Sequence, residues 1–362
     1  MVAQERVSCL RLAALLVSAT ALFGQPSPQA PPQAAPSQAA PAAAETGKVS
    51  LDVVVNQKSG PPIADLQQQD FTVLDNNAPQ TITSFRAYTG REAPIEMILV
   101  LDAVNIGAER LAFTRNQISK FLRAESGHLS YPLAVTLFTE KGLSIVGNFS
   151  TDGNTLAAAL DKEDVGPRAI GRSAGFYGAT DRWQMSVNAL RQLIIGESAR
   201  PRRKIVLWVS PGWPLLSGPE TDMMGAKEQQ HIFDTIVMTS TQLRQARITL
   251  YCVNPLGSDE SLSNDTYYQN FLKPVTKPNQ VYLGNLGLQV LAVQSGGLTL
   301  NLNNDTAALL QQCVADSAPY YEISFTAPPA AKKDEYHRLE IKLGKPGLTA
   351  RTSQGYYSQP PA

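Results

Sequence analysis

The sequence has no excess of charge of either sign, and it has few histidines and few long apolar runs. Lys plus Arg and Asp plus Glu both number 31, so the formal net charge is zero. A chain without a field of one sign is poorly suited to a nucleic-acid backbone, and we expect no nucleic acid among its partners. Past the N-terminal segment, no stretch approaches the roughly 18 consecutive apolar residues of a transmembrane helix. We therefore expect no membrane span once that segment is removed.

Cysteine is also scarce, with three in 362 residues. Cys9 precedes the N-terminal apolar run, which argues against lipid attachment at that residue. Removal of the N-terminal segment would leave Cys252 and Cys313, and an even number in an oxidising compartment permits one disulfide. Two buried thiols that pack as small hydrophobic groups are the alternative.

The N-terminus has the pattern of an export signal. Arg6 and Arg11 precede an apolar run at 12–23, which is too short to span a bilayer as a helix. We predict a signal peptide over 1–24, with a retained anchor as the alternative. Residues 25–46 are almost wholly Pro, Ala, Gln and Ser, a composition typical of a disordered spacer. We therefore expect an exported protein, either periplasmic or secreted.

The rest of the chain predicts two kinds of structure. Residues 47–92 and 319–359 alternate apolar and polar residues between turn signals, as in antiparallel strands. Each set is too small for its own core, so we expect the two to pair in one small β domain. Residues 93–318 alternate buried strands with amphipathic helices, which predicts an α/β domain with a doubly wound, mostly parallel sheet.

Short motifs add a resemblance to a known family. They are DFTVLD at 70–75, LVLD at 99–102, KIVLWVS at 204–210, HRLEI at 337–341 and GYY at 355–357. The central segment resembles a von Willebrand factor A domain, and the chain past residue 47 resembles a family of exported bacterial proteins related to it, typified in acidobacteria. The resemblance implies a ligand-binding face at the carboxyl ends of the parallel strands.

The resemblance also implies a metal-ion-dependent adhesion site, which this sequence matches poorly. Asp102 matches the first aspartate of the family motif, and Thr180, which we place just before a predicted long helix that ends near Gly196, is the candidate for its threonine. Val104 and Ile106 occupy the two serine positions and offer no oxygen ligand. The second aspartate is replaced by the Ser-Pro-Gly sequence at 210–212.

The chain is therefore identified as a member of a subgroup with a degenerate metal site. Asn105 or Asp181 could supply an oxygen, but Asn105 has the wrong spacing. One carboxylate and one hydroxyl, from Asp102 and Thr180, are a thin shell for Mg²⁺, which dehydrates reluctantly. We expect no cofactor, with Mg²⁺ at these two residues as the weaker alternative. The other role for Asp102 is to accept hydrogen bonds from loop amides.

The loop face remains the predicted site for a protein partner. Trp208 belongs to a buried strand, whereas Trp213 follows a strand end and is either exposed on this face or partly buried under a loop. The residues we assign to the partner-binding face are Asp102, Asn105, Arg172, Thr180, Ser210 and Trp213.

Catalytic patterns are incomplete, and we expect the protein not to be an enzyme. The glycine-rich stretch at 166–173 resembles a phosphate-binding loop, but Pro167 removes an amide donor and Arg172 replaces the lysine. The three histidines show no metal or triad spacing, and we expect surface or capping roles for them. Two alternatives remain: an envelope-associated hydrolase that uses Ser210, and a structural envelope protein that contacts partners through its β domain.

Overall fold

The computed structural model describes residues 47–57, 60–163, 175–216, 224–257, 267–301 and 303–360. They belong to a compact unit that spans Thr46–Ala362. The predicted signal peptide and spacer, the glycine-rich stretch and Arg172 lie outside the described residues. The strands are β1 (Lys48–Gln57), β2 (Phe71–Asp75), β3 (Ala78–Gln80), β4 (Ile82–Tyr88), β5 (Ile95–Asp102), β6 (His128–Thr139), β7 (Gly142–Asp152), β8 (Arg203–Val209), β9 (Ile248–Val253), β10 (Thr299–Leu300), β11 (Tyr320–Thr326), β12 (Glu335–Leu343), β13 (Leu348–Arg351) and β14 (Gly355–Ser358).

The central sheet has six strands in the order β10-β9-β8-β5-β6-β7. All neighbours are parallel except β6 and β7, which form an antiparallel hairpin at one edge. The sheet order reverses direction at β5, as in a doubly wound fold. The helices are α1 (Ala108–Arg123), α2 (Gly153–Lys162), α3 (Gly175–Glu197), α4 (Ala226–Gln245), α5 (Leu288–Gln294) and α6 (Thr306–Ser317).

Helices cover both faces of this sheet, which explains why its strands are continuous apolar runs. All eight residues of β5 are buried. Met97, Leu99 and Leu101 pack in a core that includes residues of α1, α2 and α6. Ile98 and Val100 pack on the other face, in a core with residues of α3, α4 and α5. The predicted doubly wound α/β class is confirmed.

The two ends of the chain form a β sandwich, as the fold prediction expected. One sheet has the order β13-β1-β11-β4 and the other the order β14-β12-β2-β3, so each contains strands from both ends. β1 pairs antiparallel with β11, and β2 pairs antiparallel with β12. The sandwich core includes Leu51, Val73, Tyr321 and Phe325, which are all buried.

The sandwich and the central sheet share buried contacts. Val54 of β1 and Tyr320 of β11 belong to one core of the central sheet, and Tyr357 of β14 belongs to the other. Arg203 at the start of β8 is fully buried, and its guanidinium lies 4.3 Å from the centre of the Tyr320 ring. The sandwich is thus packed into the central domain along its hydrophobic cores.

Two further expectations concern the cysteines and the membrane. Cys252 on β9 and Cys313 on α6 are both buried free thiols, so the thiol alternative holds in the structure. Burial raises the pKa of both thiols.

Among the helices described, none is both long and apolar enough to cross a membrane.

Candidate functional site

Asp102 ends the central strand β5 and is completely buried. Beyond it the chain turns, and the backbone amides of Val104 and Asn105 lie 3.1 and 2.9 Å from its Oδ1. A short aspartate side chain that accepts from amides two and three residues later fixes the geometry of such a turn. The carboxylate therefore shapes the first loop at the carboxyl ends of the parallel strands.

Three side chains complete the surroundings of this carboxylate. The Asn105 side-chain amide donates to Oδ2 at 2.9 Å and also to Ser186 Oγ of α3 at 2.9 Å. The indole Nε1–H of Trp208, on the neighbouring strand β8, donates to Oδ2 at 3.0 Å. Ser210 forms a further side-chain hydrogen bond with Asp102. We call Asp102, Asn105, Trp208 and Ser210 the Asp102 cluster.

The electrostatics of Asp102 combine two opposing effects. Burial raises the pKa of its carboxyl group, and the hydrogen bonds from Asn105, Trp208 and Ser210 act in the opposite direction. Each donor occupies a lone-pair site that a cation would otherwise need, since an ionised carboxylate has about four such sites. The Asp102 carboxylate therefore has its hydrogen-bonding needs met by groups of the protein itself.

The positions expected to contribute metal ligands have other roles. Val104 and Ile106 are buried in the hydrophobic cores. Thr180 lies inside helix α3 and not before it, and its hydroxyl donates to the Phe176 carbonyl at 3.0 Å. Asp181 is exposed on the same helix. In the described part of the chain, no three His, Cys, Asp or Glu side chains converge as metal ligands would.

The loop after β8 folds inwards. Trp213 is only 2% exposed, and its ring meets that of Trp208 edge to face at 5.2 Å between centroids. Of the two roles considered for Trp213, burial is therefore the one observed. Ser210 is fully buried, and its Oγ accepts from the Gly212 amide at 3.2 Å. Gly212 adopts a left-handed φ of 104°, which favours glycine at this turn.

The structure thus brings together part of the predicted face. Asp102, Asn105 and Ser210 are in direct contact, and Trp213 joins them through Trp208. Thr180 uses its hydroxyl within its own helix. These buried groups support the loops of the face but are not themselves available to a partner.

Two exposed aromatic residues at the start of α3 were not singled out from the sequence. Phe176 is 37% exposed and Tyr177 is 81% exposed, and their rings meet edge to face. Ser186, which contacts Asn105 beside Asp102, lies ten residues further along the helix. At a rise of about 1.5 Å per residue, the aromatic pair lies about 15 Å from Ser186 along the helix axis, towards the start of α3. The feature of the sequence that could have indicated this pair is two adjacent aromatic residues within a glycine-rich stretch.

A second polar cluster lies inside the β sandwich and corrects the expectation for His337. This histidine is buried on β12, and its Nδ1 lies 2.8 Å from Asp75 Oδ1 on β2. The Tyr356 hydroxyl donates to Asp75 Oδ2 at 2.6 Å, and its ring stacks on the imidazole. His337 Nε2 is buried without a hydrogen-bond partner in the described ranges, so it has no exposed nitrogen for acid–base chemistry. The cluster ties three strands together.

Comparison with known proteins gives structural likeness only. No family model and no curated protein matches the sequence. Similar solved structures include BatB from Bacteroides thetaiotaomicron, at 11% identity, with 62% of this chain and 98% of that chain covered and a TM-score of 0.32. Manganese-loaded TRAP protein from Plasmodium vivax is 9% identical, with coverages of 78% and 100% and a TM-score of 0.35.

A third similar structure is the SpRpn10 VWA domain, at 10% identity, with 62% and 97% of the two chains covered and a TM-score of 0.30. Of these three structures, the last is named as a VWA domain. All of these TM-scores are low, however. We therefore assign the fold from the order and direction of the strands in this chain.

Proposed function

We propose that this chain is an exported, non-catalytic interaction protein that binds a protein partner with the loop face of its central domain. The observation that carries the proposal is the exposed pair Phe176 and Tyr177 at the start of α3, the helix whose Ser186 contacts Asn105 of the Asp102 cluster. Exposed aromatic side chains on a rigid element are typical anchors of protein interfaces. Export is proposed from the N-terminal sequence pattern.

We further propose that this face works without a metal ion. The support is the set of N–H donors at Asp102, which belong to Val104, Asn105 and Trp208. A cation at that carboxylate would have to displace several of these donors from a fully buried position. A loop face stabilised in this way keeps one shape at any divalent-ion concentration.

The burial and hydrogen bonding of Ser210 support the proposal of a non-catalytic role. Its side chain is fully buried, and its oxygen accepts a hydrogen bond from the Gly212 amide. A serine nucleophile needs an adjacent base and access to substrate. The burial of Ser210 disfavours both, and the observations thus favour binding over hydrolysis at this face.

The test compares two pairs of exposed side chains. The full chain, with Phe176→Ala and Tyr177→Ala combined, is used to capture partners from an envelope extract, and captured proteins are quantified by mass spectrometry. We expect the double variant to capture at least tenfold less of the specific partner than the wild type. A tenfold decrease corresponds to a loss of about 1.4 kcal/mol of binding free energy. Phe113→Ala is the matched control, because Phe113 on α1 is 41% exposed.

Capture is repeated with EDTA and with excess Mg²⁺, and we expect equal amounts of partner in both. Equal capture by the double variant and the wild type would place the interface elsewhere on the protein. Loss of capture in EDTA alone would retain the aromatic anchor but overturn the metal-free binding.

A further inference from the structure

A small cleft, with a cavity volume of about 50 Å³, lies between the β sandwich and the central domain, at the opposite end of the parallel strands from the Asp102 cluster. It is lined by the last turns of α4 and α5, the start of β9, the middle of β1 and the segment 352–355 that leads into β14. Its side chains include Asp52, Arg244 and Arg247, together with the hydroxyls of Ser240, Thr352 and Ser353. Two arginines against one aspartate give this lining a surplus of one positive charge.

The two arginines differ in how their charges are balanced. Arg247 donates to Asp52 at 2.6 Å and lies 2.7 Å from Glu322, so its charge is paired. Arg244, one turn earlier, has no carboxylate partner among the residues described. Its guanidinium lies 5.6 Å from the Tyr356 ring centre, and burial lowers its pKa. A partly desolvated guanidinium without a counter-charge is unfavourable unless something else pairs with it.

A second group on the cleft is also unsatisfied. The Thr352 hydroxyl is buried and has no hydrogen-bond partner in the described ranges, and the same holds for Nε of Arg244. Leaving a buried polar group unpaired costs about 1–3 kcal/mol, so such groups call for an explanation. The position of Arg244 near the carboxyl end of α4 favours a positive charge there. That effect accounts neither for the buried Nε nor for Thr352.

We propose that Arg244 and Thr352 bind a small oxyanion, a carboxylate or a phosphate group, in this cleft. The guanidinium offers Nε–H and a terminal N–H in a fork that matches two oxygens of either group. Thr352 supplies a hydroxyl donor, and Ser240 and Ser353 line the same space. Asp52 does not repel the ligand strongly, because Arg247 and Arg203 already pair with it. The site is separate from the loop face and does not depend on the proposed function.

The Nε–H group of Arg244 allows a direct test by NMR. The ¹⁵N-labelled full chain is titrated with inorganic phosphate, and separately with acetate, at constant ionic strength. The Arg244 Nε–Hε resonance is assigned by its absence in Arg244→Lys. We expect it to shift and saturate with at least one of the two anions, and the pair of titrations distinguishes phosphate from carboxylate recognition. The backbone amides of Ser353 and Gly355 should follow the same curve.

Three variants decide the result, with the amide spectrum of each confirming its fold. Arg244→Lys should weaken the anion response of Ser353 and Gly355 by roughly tenfold or more, since a charge-assisted fork is replaced by a point charge. Thr352→Val should weaken it severalfold. Arg191→Lys, at an exposed position on α3, should leave it unchanged.

An Arg244 resonance that stays fixed with both anions would overturn the proposal. An unchanged response of the two amides in Arg244→Lys would also overturn it, because the anions would then act through general screening.

Discussion

Whether a buried aspartate binds a metal ion or ties down a loop depends on which atoms point at its oxygens. At Asp102 the nearest polar atoms are N–H groups from the following loop and from Trp208. Donors of this kind satisfy the carboxylate within the protein, whereas a metal site would present it with further oxygens. Two apolar residues, Val104 and Ile106, fill the neighbouring space in the cores. The role of Asp102 therefore depends on the N–H donors and apolar side chains around it.

The contribution of the indole hydrogen bond to stability can be measured by replacing Trp208 with Phe. The change removes the donor 3.0 Å from Asp102 Oδ2 while keeping an aromatic ring in the core. We expect Trp208→Phe to lower the free energy of unfolding by about 1.5–3 kcal/mol beyond any packing loss, the usual range for a hydrogen bond to a charged group. Urea unfolding followed by far-UV circular dichroism gives this quantity.

Trp213→Phe is the matched control. Trp213 is as well buried as Trp208 and packs against it, but its Nε1 makes no hydrogen bond within the described residues. Trp213→Phe should therefore lower the free energy of unfolding only by the loss of packing. Equal losses in the two variants would show that the hydrogen bond to Asp102 adds nothing to stability.

The strands show how far a sequence alone can predict this fold. Apolar runs at β5 and β8 indicate central strands covered on both faces, and the motifs LVLD at 99–102 and KIVLWVS at 204–210 lie at these two strands. The alternation of apolar and polar residues at β2 and β12 indicates strands with one exposed face. The pairing of the two ends was predicted because each terminal set of strands is too small for a core of its own, and β2 does pair with β12. Local periodicity reports which faces of an element are buried, so it was sufficient for the fold class.

The candidate site was less predictable, because its contacts join residues that are distant in the chain. Trp208 meets Asp102 across 106 positions, and Asp75 meets His337 across 262. Nothing in the spacing of three histidines indicates that one of them stacks on Tyr356 in a buried cluster. Thr180 was predicted before α3, but the helix begins at Gly175, and helix boundaries are poorly determined by sequence patterns.

Strand β13 is attached to helix α6 by a partly buried ion pair that can be tested by mutation. Arg351 donates to Asp316 and, at 2.8 Å, to the Gly296 carbonyl, while the Tyr251 hydroxyl donates to Asp316 at 2.6 Å. We expect Arg351→Met to lower the free energy of unfolding by about 3 kcal/mol or more, because it leaves the Asp316 charge buried without its cation. Chemical denaturation measures the loss.

A double variant separates this charge effect from the loss of the side chain. Adding Asp316→Asn to Arg351→Met removes the uncompensated charge, so the double variant should be more stable than Arg351→Met alone. Arg338→Met, at an exposed position of β12, controls for the change of residue type. A double variant less stable than the single one would rule out the unpaired charge as the cause.

The β sandwich and the central domain share buried residues and charges, which bears on how the whole molecule unfolds. Asp52 of β1 accepts from Arg247 at 2.6 Å and lies 3.7 Å from Nε of the fully buried Arg203. Arg203 also donates to the Ser317 carbonyl at 2.6 Å. These contacts connect the sandwich to the starts of β8 and β9, so neither part keeps its buried groups satisfied if the other unfolds.

We therefore expect the described unit to unfold in a single transition, and Asp52→Asn should test this. The variant leaves Arg203 without its counter-charge and should lose about 3 kcal/mol of stability. All three tryptophans, at 183, 208 and 213, lie in the central domain, so their fluorescence reports on that domain alone. Far-UV circular dichroism reports on both parts.

The two probes should give the same midpoint in urea for the wild type, and both midpoints should fall together in Asp52→Asn, as coincidence of probes requires for two-state unfolding. A circular-dichroism transition that precedes the fluorescence transition would mean that the sandwich unfolds on its own. In that case the charges at Asp52 would serve only to orient the two parts. Lys342→Met, at an exposed position of β12 in the same sandwich, controls for the loss of a charge.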